Sequence, residues 1–153
     1  MDILARSLIT LFLIALGIGL YYLTNRVILA RVRGRRLGLE SLRPGIPAIL
    51  YFTSPTCAPC KTVQRPELAR LQDMMGDQVQ FIQVDCTERP DLATFWGVLS
   101  VPTTFIIDAK GQPRGVNHGV ARAKQLYQQI LDTGYVRLVQ SPRLNQPGNS
   151  ITE

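Results

Sequence analysis

The sequence predicts an α/β domain carried behind one N-terminal membrane-spanning helix. Three observations predict it. The run Ser7 to Asn25 is uncharged and apolar, and its length matches the roughly 20 residues that a helix needs to cross a bilayer core. Further along, apolar runs of strand length alternate with helical stretches, the pattern of strands packed against helices. Between the first such strand and its helix stands Cys57-Ala58-Pro59-Cys60.

The 153 residues and net charge of +6 suffice for one domain plus an appendage. The charge is uneven, with Arg26, Arg31, Arg33, Arg35 and Arg36 crowded into one stretch. An apolar segment lies directly before them, so a membrane surface is the expected partner. Basic and aromatic residues do not interleave as on a nucleic-acid face, and no nucleic acid is expected. Three cysteines in a chain of this length are not a disulfide scaffold.

Residues 1–6 read as an N-terminal tail, 7–25 as the transmembrane helix and 26–40 as a basic juxtamembrane linker. Tyr21 and Tyr22 sit near one end of the span, where interfacial aromatics are common. A cleaved signal peptide would have a shorter core and a small-residue cleavage site after it; a buried helix of a soluble domain would not be apolar all round. The arginine cluster follows the span and outweighs Arg6 on the other flank, so the positive-inside bias places the domain on the cytoplasmic side of a single-pass protein. Gly34, Gly38, Pro44 and Gly45 break the connector before the domain, with a weak signal for a strand or helical turn over Leu37 to Leu42.

The domain is expected over 41–140. Ala48 to Thr53 is apolar throughout and reads as a buried central strand. Ser54-Pro55-Thr56 leads into the cysteine pair. A helix then runs to about Met75 and Gly76, with Leu68, Leu71 and Met75 on its core face and a kink at Pro66. Val79 to Val84 alternates as a strand. Thr87 or Glu88 is placed near the cap of a helix that carries Leu92, Phe95 and Trp96 and stops at Gly97, with Pro90 in its first turn. Thr103 to Ile107 is β-branched and aromatic, a strand. Asp108 to Gly111 turns the chain into an edge strand, Pro113 to His118. Ala121 to Thr133 is the last helix, stopped by Gly134. Residues 141–153, rich in Pro, Asn, Gln and Ser, are expected to be disordered.

The chemistry sits at Cys57. Its position at a helix start exposes it to unpaired N–H groups carrying partial positive charge. A thiolate there is stabilised and becomes a nucleophile near neutral pH. Pro59 suits a first helical turn because its missing N–H costs no bond. Cys60 lies one turn on, within reach, and the pair implies reversible dithiol–disulfide exchange. Cys86 reads as a small buried hydrophobe, with a regulatory or dimer-forming thiol as the alternative. His118, the one histidine, reads as structural or exposed, with pairing to a thiolate as the alternative.

Three separated features resemble the thioredoxin family. Cys57-Ala58-Pro59-Cys60-Lys61 is similar to its C-G-P-C-K motif. Val101-Pro102-Thr103 before a strand is similar to its cis-proline loop. Gly119 is like its glycine before the final helix. The resemblance covers about Leu37 to Gly134. It implies a thioredoxin fold, a central mixed sheet flanked by helices. It also implies that Cys57 attacks the substrate disulfide, that Cys60 resolves the mixed disulfide, and that Pro102 is cis against the pair. Substrate would lie against Thr56, Ala58, Pro59, Val101 and Pro102, with the Val101 backbone pairing to an extended segment.

The sequence departs from the family in four places. Thr56 stands where a tryptophan is usual, Tyr51 where a buried aspartate is usual and Phe81 where its lysine partner is usual. Pro66 falls one residue late. Loss of the acid–base pair leaves water or Glu67 to move the proton of Cys60, in a drier interior. The function implied is a membrane-tethered thiol–disulfide oxidoreductase that takes electrons from an upstream thiol donor and reduces protein disulfides. It needs no cofactor and no resident metal. The alternatives are an extracytoplasmic reductase resembling the anchored proteins of cytochrome c maturation, and a metal carrier using Cys57, Cys60 and Cys86 or His118.

Overall fold

The computed structural model describes residues 2–32 and 38–134. Helix α1 spans Asp2–Val32, and strand β1 Ala48–Thr53. A π-helical stretch, Cys60–Gln64, leads into helix α2, Arg65–Met75. Strand β2 is Gln80–Asp85, helix α3 Pro90–Phe95, strand β3 Thr103–Ile107, strand β4 Pro113–His118 and helix α4 Ala123–Asp132. The strand order is β2-β1-β3-β4. β1 pairs parallel with β2 and antiparallel with β3, and β3 pairs antiparallel with β4. The sheet is therefore mixed and flanked by helices, as the resemblance implied.

Strand β1 is buried along all six residues because both faces of the sheet are covered. Ile49 and Tyr51 join Leu71, Met75, Leu126 and Ile130 on the face covered by α2 and α4. Leu50 and Phe52 join Leu92, Trp96, Phe105 and Ile107 on the face covered by α3. The bounds of β1, β3 and β4 are those the sequence predicts, and β4 lies at an edge.

β2 is shifted by one residue from its expected bounds and α4 is shorter than expected at both ends, and four further features differ from expectation. Helix α1 begins at Asp2 and runs on to Val32, so most of the expected tail and the first part of the expected linker are helical. Leu39 is buried in the core beside Trp96, so packing begins ahead of residue 41; Gly38 to Leu42 is a turn, closed by the Leu42 N–H on the Leu39 carbonyl. The cap of α3 is Arg89, because Asp85 Oδ1 takes both the Thr87 N–H, at 2.8 Å, and the Thr87 hydroxyl, at 2.6 Å. Ahead of Pro66 the helix widens instead of merely kinking. The Arg65 N–H reaches back to the Cys60 carbonyl, an i to i−5 bond that takes up one extra residue. That matches the one-residue displacement of Pro66. Residues 33–37 and the expected disordered tail, 141–153, lie outside the described residues.

Candidate functional site

Strand β1 ends level with the start of β3, since Phe52 pairs with Thr103. The loop from Ser54 to Thr56 therefore carries Cys57 to the sheet end where Pro102 enters β3. Ala58 and Pro59 are already helical. Cys57 and Cys60 are joined by a disulfide, with Cα atoms 5.3 Å apart. The Cys60 N–H points at Cys57 Sγ across 3.2 Å, as a donor at a helix start does. The two residues differ in access: Cys57 is 9% exposed and Cys60 0%. Of the pair, only Cys57 keeps any exposed surface.

The other predicted residues gather here. Thr56, Ala58 and Pro59 are exposed around Cys57. Val101 is half-buried and packs against both cores, including the one that holds Cys57 and Cys60. Pro102 is buried, and the Val101–Pro102 bond is cis. The Gly119 N–H donates to the Pro102 carbonyl at 2.8 Å, so the turn after β4 holds the cis-proline loop.

A clamp that sequence reasoning missed fixes that turn. Gln64, fully buried on α2's approach, donates to the Ala121 carbonyl at 3.1 Å and accepts the Ala121 N–H at 2.8 Å. Glu67 accepts the Ala123 N–H at 2.8 Å and pairs with Arg70 at 2.8 Å and Arg122 at 3.3 Å. The Ala123 N–H, with help from the two arginines and against the cost of burial, holds the Glu67 carboxyl below the usual carboxylate range. Glu67 thus caps the start of α4 and is committed to that task instead of serving Cys60. The available signal was spacing: Gln64, Glu67 and Leu71 follow Cys60 on one helical face, which put two polar groups on a core-facing stripe.

Tyr51 lies behind the pair, its hydroxyl 3.5 Å from the Cys60 carbonyl oxygen. Burial pushes the phenol up, and nearby Thr53 and Arg65 oppose this. Thr53 Oγ1, buried on the same strand face, closes no hydrogen bond of good geometry among the described residues. Tyr51 and Phe81 also line a cleft of about 270 Å³ with Arg65, Leu68, Gln72 and Gln83. Cys86 is half-buried, and burial, then Asp85, pushes its thiol up, which favours the inert reading. His118 stands 3.2 Å from Asn25 of α1, Nε2 to Oδ1.

The family model described as thioredoxin matches residues 41–132. Thioredoxin 1 of Synechococcus elongatus is 34% identical over 67 residues, 44% of this chain and 62% of that protein. A thioredoxin-like protein of Synechocystis is 31% identical over 84 residues, 55% of this chain and 78% of that one. Among solved structures, a thioredoxin-like protein of Clostridium perfringens superimposes with a TM-score of 0.56 at 26% identity, over 63% of this chain and 78% of that chain.

Proposed function

The chain belongs to the thioredoxin family, and on that premise we propose that it is a membrane-tethered oxidoreductase that reduces protein disulfides through Cys57 and Cys60. The observation that carries the reading is the asymmetry of the pair at a helix start: Cys57 keeps a little exposed surface, and its disulfide partner Cys60 is fully buried.

In the reduced protein the Cys57 thiolate attacks one sulfur of the client disulfide. The client S–S bond breaks, and its second sulfur leaves as a thiolate that takes up a proton. The Cys60 thiol loses its proton and attacks Cys57 Sγ, and the first client sulfur leaves in turn. Two electrons and two protons pass to the client, and the Cys57–Cys60 disulfide remains. An upstream dithiol donor returns the pair to the thiol state. With Glu67 engaged at α4, water is the acceptor for the Cys60 proton. Thr56, Ala58 and Pro59 offer the client a surface around Cys57, and the Val101 backbone offers an extended client segment a strand edge.

The tether is α1, which is long and apolar enough to cross a bilayer. Arg26 and Arg31, with Arg33, Arg35 and Arg36 of the sequence, favour the cytoplasmic face for the domain, where the thiol pool favours reduction. A reporter enzyme fused to the C-terminus tests the side; activity confined to the extracytoplasmic compartment overturns it. For the chemistry, the full chain with a dithiol donor is expected to reduce insulin. Cys57→Ser abolishes this, and Cys60→Ser accumulates mixed disulfides that reducing agent releases. Full activity in Cys57→Ser refutes the nucleophile.

A further inference from the structure

The end of α1 is part of the packed domain. Asn25, Ile28 and Leu29 are the partly buried positions of its last turns, one face at i, i+3 and i+4. Ile28 and Leu29 pack against the core that holds Trp96 and Phe52, and α1 lies along β4. At Gly97, whose φ is +66°, a Cβ would stand 3.5 Å from Ile28 Cγ1, in van der Waals contact, so a side chain longer than that Cβ would press on α1. Asn25 meets His118 at the last residue of β4.

The order of these contacts along α1 sets the height of the site. Ser7 to Asn25 covers about 28 Å at 1.5 Å per residue, close to the roughly 30 Å of a hydrocarbon core. Asn25 then stands at the bilayer boundary, with Ile28 and Leu29 about 5 Å beyond it, among headgroups. The first contact outside the core is His118. His118 pairs with Thr103, the residue after Pro102, and the following residue, Gly119, holds the Pro102 carbonyl. The sheet end that meets the membrane first is the one carrying Cys57 and the cis-proline loop. Outside α1, three large apolar side chains are exposed among the described residues, and two of them, Leu99 at 88% and Val120 at 39%, flank that loop.

We propose that this chain acts on disulfides held at the bilayer surface, in segments of membrane proteins that leave the lipid within a few residues of the cystine. This rests on the membrane and redox readings above and adds a height to them. A flexible tether would let the domain sample a broad shell of solvent; a docked helix fixes the site close to the headgroups and raises its effective concentration for clients at that height.

The test uses the full chain in vesicles, reduced beforehand and freed of excess donor. Two transmembrane peptides share one cystine loop, placed about 3 residues from the bilayer in one and beyond a Gly/Ser spacer of about 25 residues in the other, a mean span of about 28 Å. The near cystine is expected to be reduced at least tenfold faster. Ile28→Gln combined with Leu29→Gln, and separately Gly97→Leu, should level the two rates while leaving the rate with a soluble cystine unchanged. Equal rates in the unaltered chain, or a preference that survives both variants, overturns the proposal. A chain that does not float with the vesicles overturns the membrane reading and this inference with it. One that floats but is inert to the soluble cystine overturns the redox reading, and these failures are distinct from an active, floating chain without height preference.

Discussion

Leu50 and Phe52 point to one face of the sheet, Ile49, Tyr51 and Thr53 to the other, and the two faces are finished differently. The α3 face is aromatic and apolar: Trp96 packs tilted against Phe105 at 4.9 Å and Phe52 at 6.5 Å, ring centre to ring centre. The face under α2 and α4 has an apolar floor too, but it also contains Gln64, Glu67, the Tyr51 phenol and Thr53 Oγ1. Gln64 and Glu67 serve the turn from Gly119 to Ala123, and the Tyr51 phenol lies at the back of Cys60. One face supplies cohesion, and the other gives up part of its apolar area to hold two loops at the reacting sulfur. Stability and chemistry should therefore separate under mutation.

Trp96→Ala tests that separation most strongly. It removes a fully buried side chain from the aromatic face and is expected to cost about 3–5 kcal/mol, read as the urea midpoint. The rate of Cys57 alkylation in the folded, reduced protein should stay within twofold. A large fall in that rate would mean that the two faces are coupled through β1, and the contrast would fail.

Gln64→Leu is the next largest and probes the other face. The substitution keeps bulk but strips the Ala121 N–H and carbonyl of their partner. Leaving such buried groups unpaired costs about 1–3 kcal/mol each. Here the chemistry should suffer as well. The turn that holds Pro102 loosens, and client reduction is expected to fall about tenfold in kcat/KM while simple alkylation of Cys57 is unchanged. Stability loss without any change in client reduction would reduce Gln64 to ordinary packing.

Features that depend on neighbours in the chain are legible in the sequence alone. The β1 and β3 bounds follow from continuous apolar or β-branched runs, those of β4 from the turn over Asp108 to Gly111 that precedes it, and Cys57 and Cys60 announce themselves by spacing. What stays hidden depends on partners far away in sequence. The Gln64–Ala121 and Glu67–Ala123 bonds join residues 57 and 56 positions apart, and no local pattern names the partner of a buried amide or carboxylate. Glu67 reads as a free proton carrier for Cys60 because no local pattern places α4's first N–H beside it. The docking of Asn25 on His118 spans 93 positions, and a run of apolar residues gives no sign of where lipid ends and domain begins. The cap of α3 differs for a shorter-range reason: Asp85 competes for Thr87, and its side-chain geometry decides the matter.

Glu67→Gln makes the smallest change and reads the polar face by pH. The fold lowers the carboxyl's pKa, first through the Ala123 N–H and then through Arg122 and Arg70. A group lowered in this way adds stability that is fully present above its unfolded value of about 4.3 and is lost as pH falls through the folded value. Asp108 behaves alike: burial pulls its pKa up, but the Gln112 N–H, the Arg114 guanidinium and the Lys110 N–H outweigh this and leave it lowered. Both should contribute to acid unfolding of the unaltered chain. Glutamine keeps an acceptor for the Ala123 N–H but carries no charge to lose. The variant is expected to be less stable at pH 7, and the gap to the unaltered chain should close as pH falls below the unfolded value and through the lowered folded one, where Glu67 itself becomes neutral. Urea midpoints collected across pH 7 to 3 measure that gap. A gap that stays constant over the range would mean that the carboxylate's charge is not what binds α2 to α4, and the polar face would then hold its loops by shape and neutral hydrogen bonds alone.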